Sequence, residues 1–279
     1  VGKIVPAEKR TLAFGIVTAG GSLGQFLVVP AAQGLLDALD WRLTLFVMAG
    51  LIAVIALLAI GIAGKPPASI GRQDGPPIRE ALKEAFADRS FWLLNAGFFV
   101  CGFHIAFVGT HLPSYIRDQG LPAEVGAWSL ALIGLFNIAG SWLWGAWGSK
   151  RSKKNLLALL YGLRSVTIVL FMILPLSSVS VLVFAATFGF LWLGTVPLTN
   201  GLVAQIYGLR HLSALGGIVF LSHQVGAFLG AWTAGVAFDV TGSYNLIWMV
   251  SIALGLLAAA ANLPIREAPL LRPEAVPAQ

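Results

Sequence analysis

His223 and Gln224 are neighbours inside an apolar run at 213–237. Histidine changes charge near neutral pH, and a glutamine amide both donates and accepts hydrogen bonds. In apolar surroundings the pair could take up a proton or face a carboxylate. It could also simply tie two helices together, with a hydrogen bond worth about 0.6–2 kcal/mol. His104 and Arg164, each inside another apolar run, pose the same choice. His104 could bond a ligand, or rest neutral against a carbonyl one turn away. Arg164 could pair with an anion, snorkel to a polar boundary, or bond carbonyls of neighbouring helices. Asn137 and Asn200 could line a shared interior. So could Trp192, although its neighbours Phe188 and Phe190 fit plain packing equally well.

Other chemistry is excluded. No Asp or Glu lies in the middle of an apolar run; Asp37, Glu124 and Asp239 fall at ends. Without converging acids or an activated nucleophile, the chain does not read as an enzyme. His104 and His111 are seven apart with no Cys or carboxylate nearby, too little for a metal site. No phosphate loop, nucleophile elbow or zinc motif is present, so neither a cofactor nor ATP-driven work is expected. The single Cys101 rules out a disulfide framework.

The medium that positions these groups is a bilayer. Of 279 residues, 57% are hydrophobic and 11% charged, with mean hydropathy +0.84; a soluble domain carries about 25% charged residues. Runs of roughly 20 apolar residues, enough to cross about 30 Å of hydrocarbon, recur at 11–36, 42–64, 91–113, 124–147, 155–176, 179–206, 213–237 and 244–264. All should be helices, because lipid offers backbone groups no other partner. The expectation is an all-α, polytopic membrane protein with eight transmembrane helices. Pro197 should kink the sixth span. Trp142, Trp144 and Trp147 should form part of an aromatic belt.

Charge orders the loops. Fifteen of the 18 Lys and Arg residues fall before the first span, after every second span, or in the tail. The opposite side holds only Arg42 and Arg117. By the positive-inside rule the rich side is cytoplasmic, so the start and the tail are expected there, in a multi-pass inner-membrane protein. This alternation, rather than nucleic-acid binding, explains the net charge of +6.

Residues 15–37 reappear 202 positions later, at 217–239, with eight identities in 23 positions, among them Gly15/Gly217, Gly24/Gly226 and Asp37/Asp239. Such an echo points to a duplicated membrane fold. It breaks where Gly21-Ser22 becomes His223-Gln224. Between the second and third spans runs the longest polar stretch, 65–90. Its second half places Ile78, Leu82 and Phe86 on one face, an amphipathic helix suited to the inner membrane surface.

On these residues a resemblance becomes specific. The stretch Arg10 to Gly24 resembles the start of the fifth helix of the major facilitator superfamily, and Asp40-Trp41-Arg42 the opening of its sixth. The loop from Gly145 through Ser149, Lys150, Arg151, Ser152, Lys153 and Lys154 resembles that family's glycine–acid–basic motif. Here Ser149 takes the place of the acid and Ser152 of the second glycine, which weakens the expectation of a charged conformational lock. Tyr161-Gly-Leu-Arg164, His223 to Gly230, and Phe238 to Tyr244 are similar to the monocarboxylate and oxalate/formate branch.

The resemblance implies a twelve-helix, six-plus-six fold that rocks about a midplane site. The spans then number five to twelve. Residues 1–64 hold the last two helices of the N-terminal half, 65–90 a cytoplasmic central loop, 91–264 the complete C-terminal half, and 265–279 a cytoplasmic tail. Four helices, roughly 110–125 residues, are expected to precede Val1 in the complete carrier; the chain alone is expected to be inactive, and the complete protein monomeric. The implied function is secondary active transport of small organic anions such as monocarboxylates, with a proton or in exchange. The branch's substrate arginine usually stands on the eighth helix, yet 124–147 holds no cation. A carrier of a neutral metabolite or drug therefore stays open.

Overall fold

The computed structural model describes residues 5–62 and 76–270. After a single 3-10 turn at Ala7–Lys9, ten helices follow: α1 (Arg10–Ala38), α2 (Trp41–Ile62), α3 (Ile78–Ala87), α4 (Arg89–Asp118), α5 (Ala123–Gly148), α6 (Lys153–Ile173), α7 (Ser178–Phe190), α8 (Thr195–Tyr207), α9 (Leu212–Thr241) and α10 (Asn245–Asn262). No strand occurs among the described residues. Eight spans there are long and apolar enough to cross a membrane, with α7 and α8 together forming one.

The helix ends follow local chemistry. Asp88 accepts the Ser90 N–H at 2.9 Å and caps α4, and Ser177 and Ser180 form a reciprocal capping box at α7. Gly242, at φ +68°, ends α9 in the left-handed conformation. The polar stretch after α2 lies in part outside the described residues, at 63–75. Within the remainder, α3 forms as expected. It docks through buried Ala81 and Ala85 and leaves Ile78 and Phe86 exposed.

Two differences from the sequence expectation stand out. The sixth span is not one kinked helix. It breaks at Leu191–Gly194, and Pro197 sits in the first turn of α8, where a missing N–H costs nothing. Trp144 is not in an interfacial belt: it is buried, and its Nε1–H donates to the Phe190 carbonyl at 3.2 Å. Trp142, two residues earlier, is exposed.

The helices pack chiefly as α4 with α9, α1 with α5, α5 with α7, and α6 with α10. Glycines make the closest approaches. A Cβ at Gly102 would run into the His223 carbonyl, and one at Gly226 into that of Phe99. Small residues allow this spacing when lipid supplies no hydrophobic drive between helices. Aromatic side chains fill one end of the bundle, with Phe171 stacked on Phe184 at 4.1 Å and Phe184 on Phe188 at 5.2 Å. The loops around Ser149, Gln205 and Leu263 meet at the other end, where the basic residues gather.

Gly102→Val or Gly226→Val should each lower the melting temperature in detergent, through an overpacking cost of about 1–3 kcal/mol. Gly217→Ala, which faces open space, should change stability by less than about 0.5 kcal/mol. If all three variants melt alike, glycine contact does not hold α4 to α9.

Candidate functional site

The break between α7 and α8 organises the interior. It frees backbone groups inside a membrane span, where each needs a partner. Arg164 of α6 partners two of the carbonyls. Its Nε–H donates to the Leu191 carbonyl at 3.0 Å. Nη2 donates to Leu191 at 2.7 Å and also to the Trp192 carbonyl. Asn137 of α5 accepts the Leu193 N–H at 2.9 Å, and Trp144 covers the Phe190 carbonyl. Arg164 is 0% exposed. Of the roles open in the sequence, it occupies that of carbonyl binder, with its charge at the C-terminal end of α7 where a cation is favoured.

Two of its contacts lead onward. Nη2 lies 3.7 Å from the Cys101 Sγ of α4, and that sulfur lies 3.1 Å from Oγ1 of Thr195, the first residue of α8. The guanidinium carbon sits 5.4 Å from the centre of the Tyr161 ring. Nη1 and the Tyr161 hydroxyl are buried without a hydrogen-bond partner in the structure. Arg164, Cys101 and Thr195 thus form a polar seam across α6, α4 and α8. His223 of α9 lies alongside, its backbone carbonyl packed against Gly102, the residue after Cys101.

His223 is 8% exposed and held between rings, 5.3 Å from Phe220 and 4.9 Å from Phe98. Its Nδ1 lies 3.1 Å from the Gln224 side-chain oxygen. That pairing assigns the proton to Nδ1 and leaves Nε2 a bare acceptor, and Nε2 has no partner. Gln224 is exposed beside it. His104 is fully buried and donates from Nε2 to the Ser251 carbonyl of α10 at 2.8 Å. The partner is on another helix rather than one turn away.

Asn137 is more committed than a cavity-lining amide. Besides Leu193, it donates to Ser22 Oγ of α1 at 2.7 Å and accepts from Ser141 at 3.1 Å. Trp192 is buried within the break, its ring edge-on to Phe188 at 5.6 Å. Asn200 stands apart, half-buried on α8 opposite Gly216. The structure therefore gathers Arg164, Asn137 and Trp192 at the break, pairs His223 with Gln224 nearby, and leaves Asn200 outside.

The loop after α5 meets the first turn of α1. Gly145 abuts Gly15 and Thr11. Ser149 Oγ accepts the Leu12 N–H at 2.9 Å, a donor that the first turn of a helix cannot satisfy itself. Lys150 is exposed. Lys153 donates to Gln205 at 2.7 Å, and Lys154 to the Leu263 carbonyl at 2.9 Å. At the opposite end His111 Nε2–H donates to the Ala231 carbonyl at 2.9 Å, so Nδ1 accepts the Tyr244 hydroxyl at 3.2 Å. Burial, with Asp118 and Asp239 nearby, raises the Tyr244 pKa.

The family model of the Major Facilitator Superfamily matches residues 1–231. The chain belongs to that superfamily. The Bacillus subtilis protein named uncharacterized MFS-type transporter YcxA is 28% identical over 91% of this chain and 64% of its own length. Rat monocarboxylate transporter 12 is 25% identical over 95% of this chain and 63% of its own. Rat monocarboxylate transporter 13 is 26% identical over 88% and 57%. The chain therefore spans less than two thirds of the curated relatives it matches. The crystal structure of FucP, a superfamily transporter in the outward conformation, superposes with TM-score 0.65 at 16% identity, covering 94% of this chain and 70% of that one. This supports the fold: an all-α, major facilitator arrangement.

Within this superfamily fold, sequence reasoning missed Cys101, Thr195, Ser22 and Trp144 as partners. One signal was available. A lone arginine in an apolar helix needs carbonyls, and Leu191-Trp192-Leu193-Gly194 offers a helix end.

Arg164→Met should strand the Leu191 and Trp192 carbonyls and cost about 2 kcal/mol or more. Arg164→Lys should recover only part of this, because one ammonium cannot reproduce the fork. Equal melting of the wild type and Arg164→Met would remove the capping role. Separately, Ser149→Ala should destabilise by about 1 kcal/mol. Ser149→Asp should stabilise the α1–α5 contact by about 0.3–1 kcal/mol, an effect that fades in salt. A salt-independent gain would show that the helix dipole is not responsible.

Proposed function

We propose that the protein is a secondary active transporter of small organic anions such as monocarboxylates, working by alternating access with a proton or in exchange. One observation carries the substrate class. The buried cation Arg164 has its Nη1 unpaired, and no acid lies in the middle of any span to balance it. An uncompensated positive charge in a low-dielectric interior favours anions. The names of the monocarboxylate relatives support the same class. His223, with a bare Nε2 beside the exposed amide of Gln224, suits proton uptake or contact with a carboxylate. Asn200 and Trp192 remain candidates to line the path, and His104 to tune it from behind.

A second reading, transport of a neutral metabolite or drug, is favoured by the commitment of most Arg164 N–H groups to carbonyls. The proposed setting is the inner membrane, as a monomer, with the basic end in the cytoplasm. Residues 91–264 then act as one six-helix half, with α1 and α2 on the other side of the cavity.

The test is uptake of radiolabelled lactate and formate, beside a neutral sugar, in cells expressing the gene with its upstream sequence. Carboxylate uptake should exceed sugar uptake and rise as external pH falls. His223→Gln should cut it on the order of tenfold and flatten the pH response. Sugar uptake alone would establish the second reading. Carboxylate uptake with an unchanged pH response in His223→Gln would remove His223 from coupling.

A further inference from the structure

One wall of the bundle carries a groove that the transport reading does not use. It has a volume of about 570 Å³ and is lined by Trp92, Ala96 and Phe99 of α4 and by Leu254, Leu257 and Ala261 of α10. Its polar groups are already engaged. The Asn95 amide donates to the Phe91 carbonyl at 2.7 Å, and the Ser222 hydroxyl to the Asn95 carbonyl at 3.0 Å. The space therefore suits an apolar occupant. From Trp92 to Val100 it runs about 12 Å at 1.5 Å per residue, close to the roughly 15 Å of one hydrocarbon leaflet.

The mouth is different. Positions 89, 92, 96 and 99 form one stripe of α4, so exposed Arg89 lies one turn beyond Trp92, at the basic end. The Arg266 N–H donates to Ser90 Oγ at 3.2 Å, so the backbone of exposed Arg266 meets the residue next to Arg89. Asp88 and Glu267, next in sequence to the two arginines, hydrogen-bond to neutral donors. Asp88 accepts from the Ser90 N–H and, at 2.8 Å, from the Tyr207 hydroxyl; Glu267 accepts the Lys154 N–H at 2.8 Å. Trp92 is fixed at the threshold by its Nε1–H to the Phe86 carbonyl at 2.9 Å and by its ring against Phe86 at 5.6 Å. An amphipathic ring at headgroup depth is the usual marker of a membrane boundary.

We propose that this groove holds one acyl chain of an anionic phospholipid, with the lipid phosphate on Arg89 and Arg266. The two arginines at the mouth decide the occupant. A partner helix would need an acid at that level, whereas an anionic lipid brings its phosphate there and its chain to the groove. Lipid bound here would staple α4 to α10 and anchor α3 through Phe86.

The full chain, purified in detergent and stripped of lipid, is titrated with dioleoylphosphatidylglycerol or dioleoylphosphatidylcholine, and retained lipid is counted by native mass spectrometry. The glycerol lipid should be retained about tenfold more tightly. Arg89→Gln with Arg266→Gln should abolish that preference while leaving weak retention of both lipids. Ala96→Trp, at an exposed position that preserves the fold by circular dichroism, should fill the groove and lose both. Equal retention of the two lipids by the wild type overturns the proposal. So does unchanged retention by Ala96→Trp, or displacement by excess inorganic phosphate, which would indicate a free-anion site.

Discussion

A backbone carbonyl has no partner in hydrocarbon except the protein itself, and the interior of this molecule is arranged around that constraint. The break at Leu191–Gly194 exposes polar backbone in the middle of a span. An aliphatic neighbour would leave it costly. Arg164 reaches across from α6 and binds two carbonyls, while Asn137 and Trp144 reach from α5 to the remaining groups. Three helices are thereby tied to one point. The tie is specific in register, because a shift of one residue on α6 or α5 would take the side chain off its target.

The same amide transmits the constraint further. Asn137 holds the break on one side and Ser22 of α1 on the other. Some distance along the same pair of helices, Ser149 takes the Leu12 N–H, and Gly145 sits against Gly15. The α1–α5 contact thus has a polar clasp at mid-depth and another at its end, with glycine contact between. Both clasps are uncharged. Where the superfamily pattern has an acid, this chain uses a hydroxyl, so the end clasp can open without separating charges.

How much of this was legible beforehand depends on the range of the interaction. Spans and α3 were readable because they rest on apolar run length and on periodicity within a few residues. The duplicated frame was visible as repeated residues, although of the Gly24/Gly226 pair only Gly226 sits against a neighbouring backbone, while Gly24 faces open space. The break was not readable, because Phe188 to Gly194 stays apolar throughout and Pro197 drew attention to the wrong place. His104 was open to a ligand or to a carbonyl one turn away in its own helix, yet its partner is Ser251, 147 residues away. Carbonyl binding was one of three roles open to Arg164, and the carbonyls it binds lie 27 and 28 residues distant. Such side-chain-to-backbone contacts leave no repeat in the chain.

Charge balance connects this structural device to the proposed transport. Arg164 places a guanidinium cation in the buried interior. Its partners at the break are dipoles, which spread the charge without cancelling it. A proton placed on His223 would add a second cation near the same seam. An anion entering from the cavity offsets that addition, and a neutral solute does not. On the proposed reading, the arrival of a carboxylate and of a proton therefore each make the other less costly, which is a thermodynamic coupling between two sites. Arg164 would contribute to it without touching the substrate, through a field fixed by the need to cap a broken helix. The residue that closes the fold is then also the one that biases which ions the cavity admits.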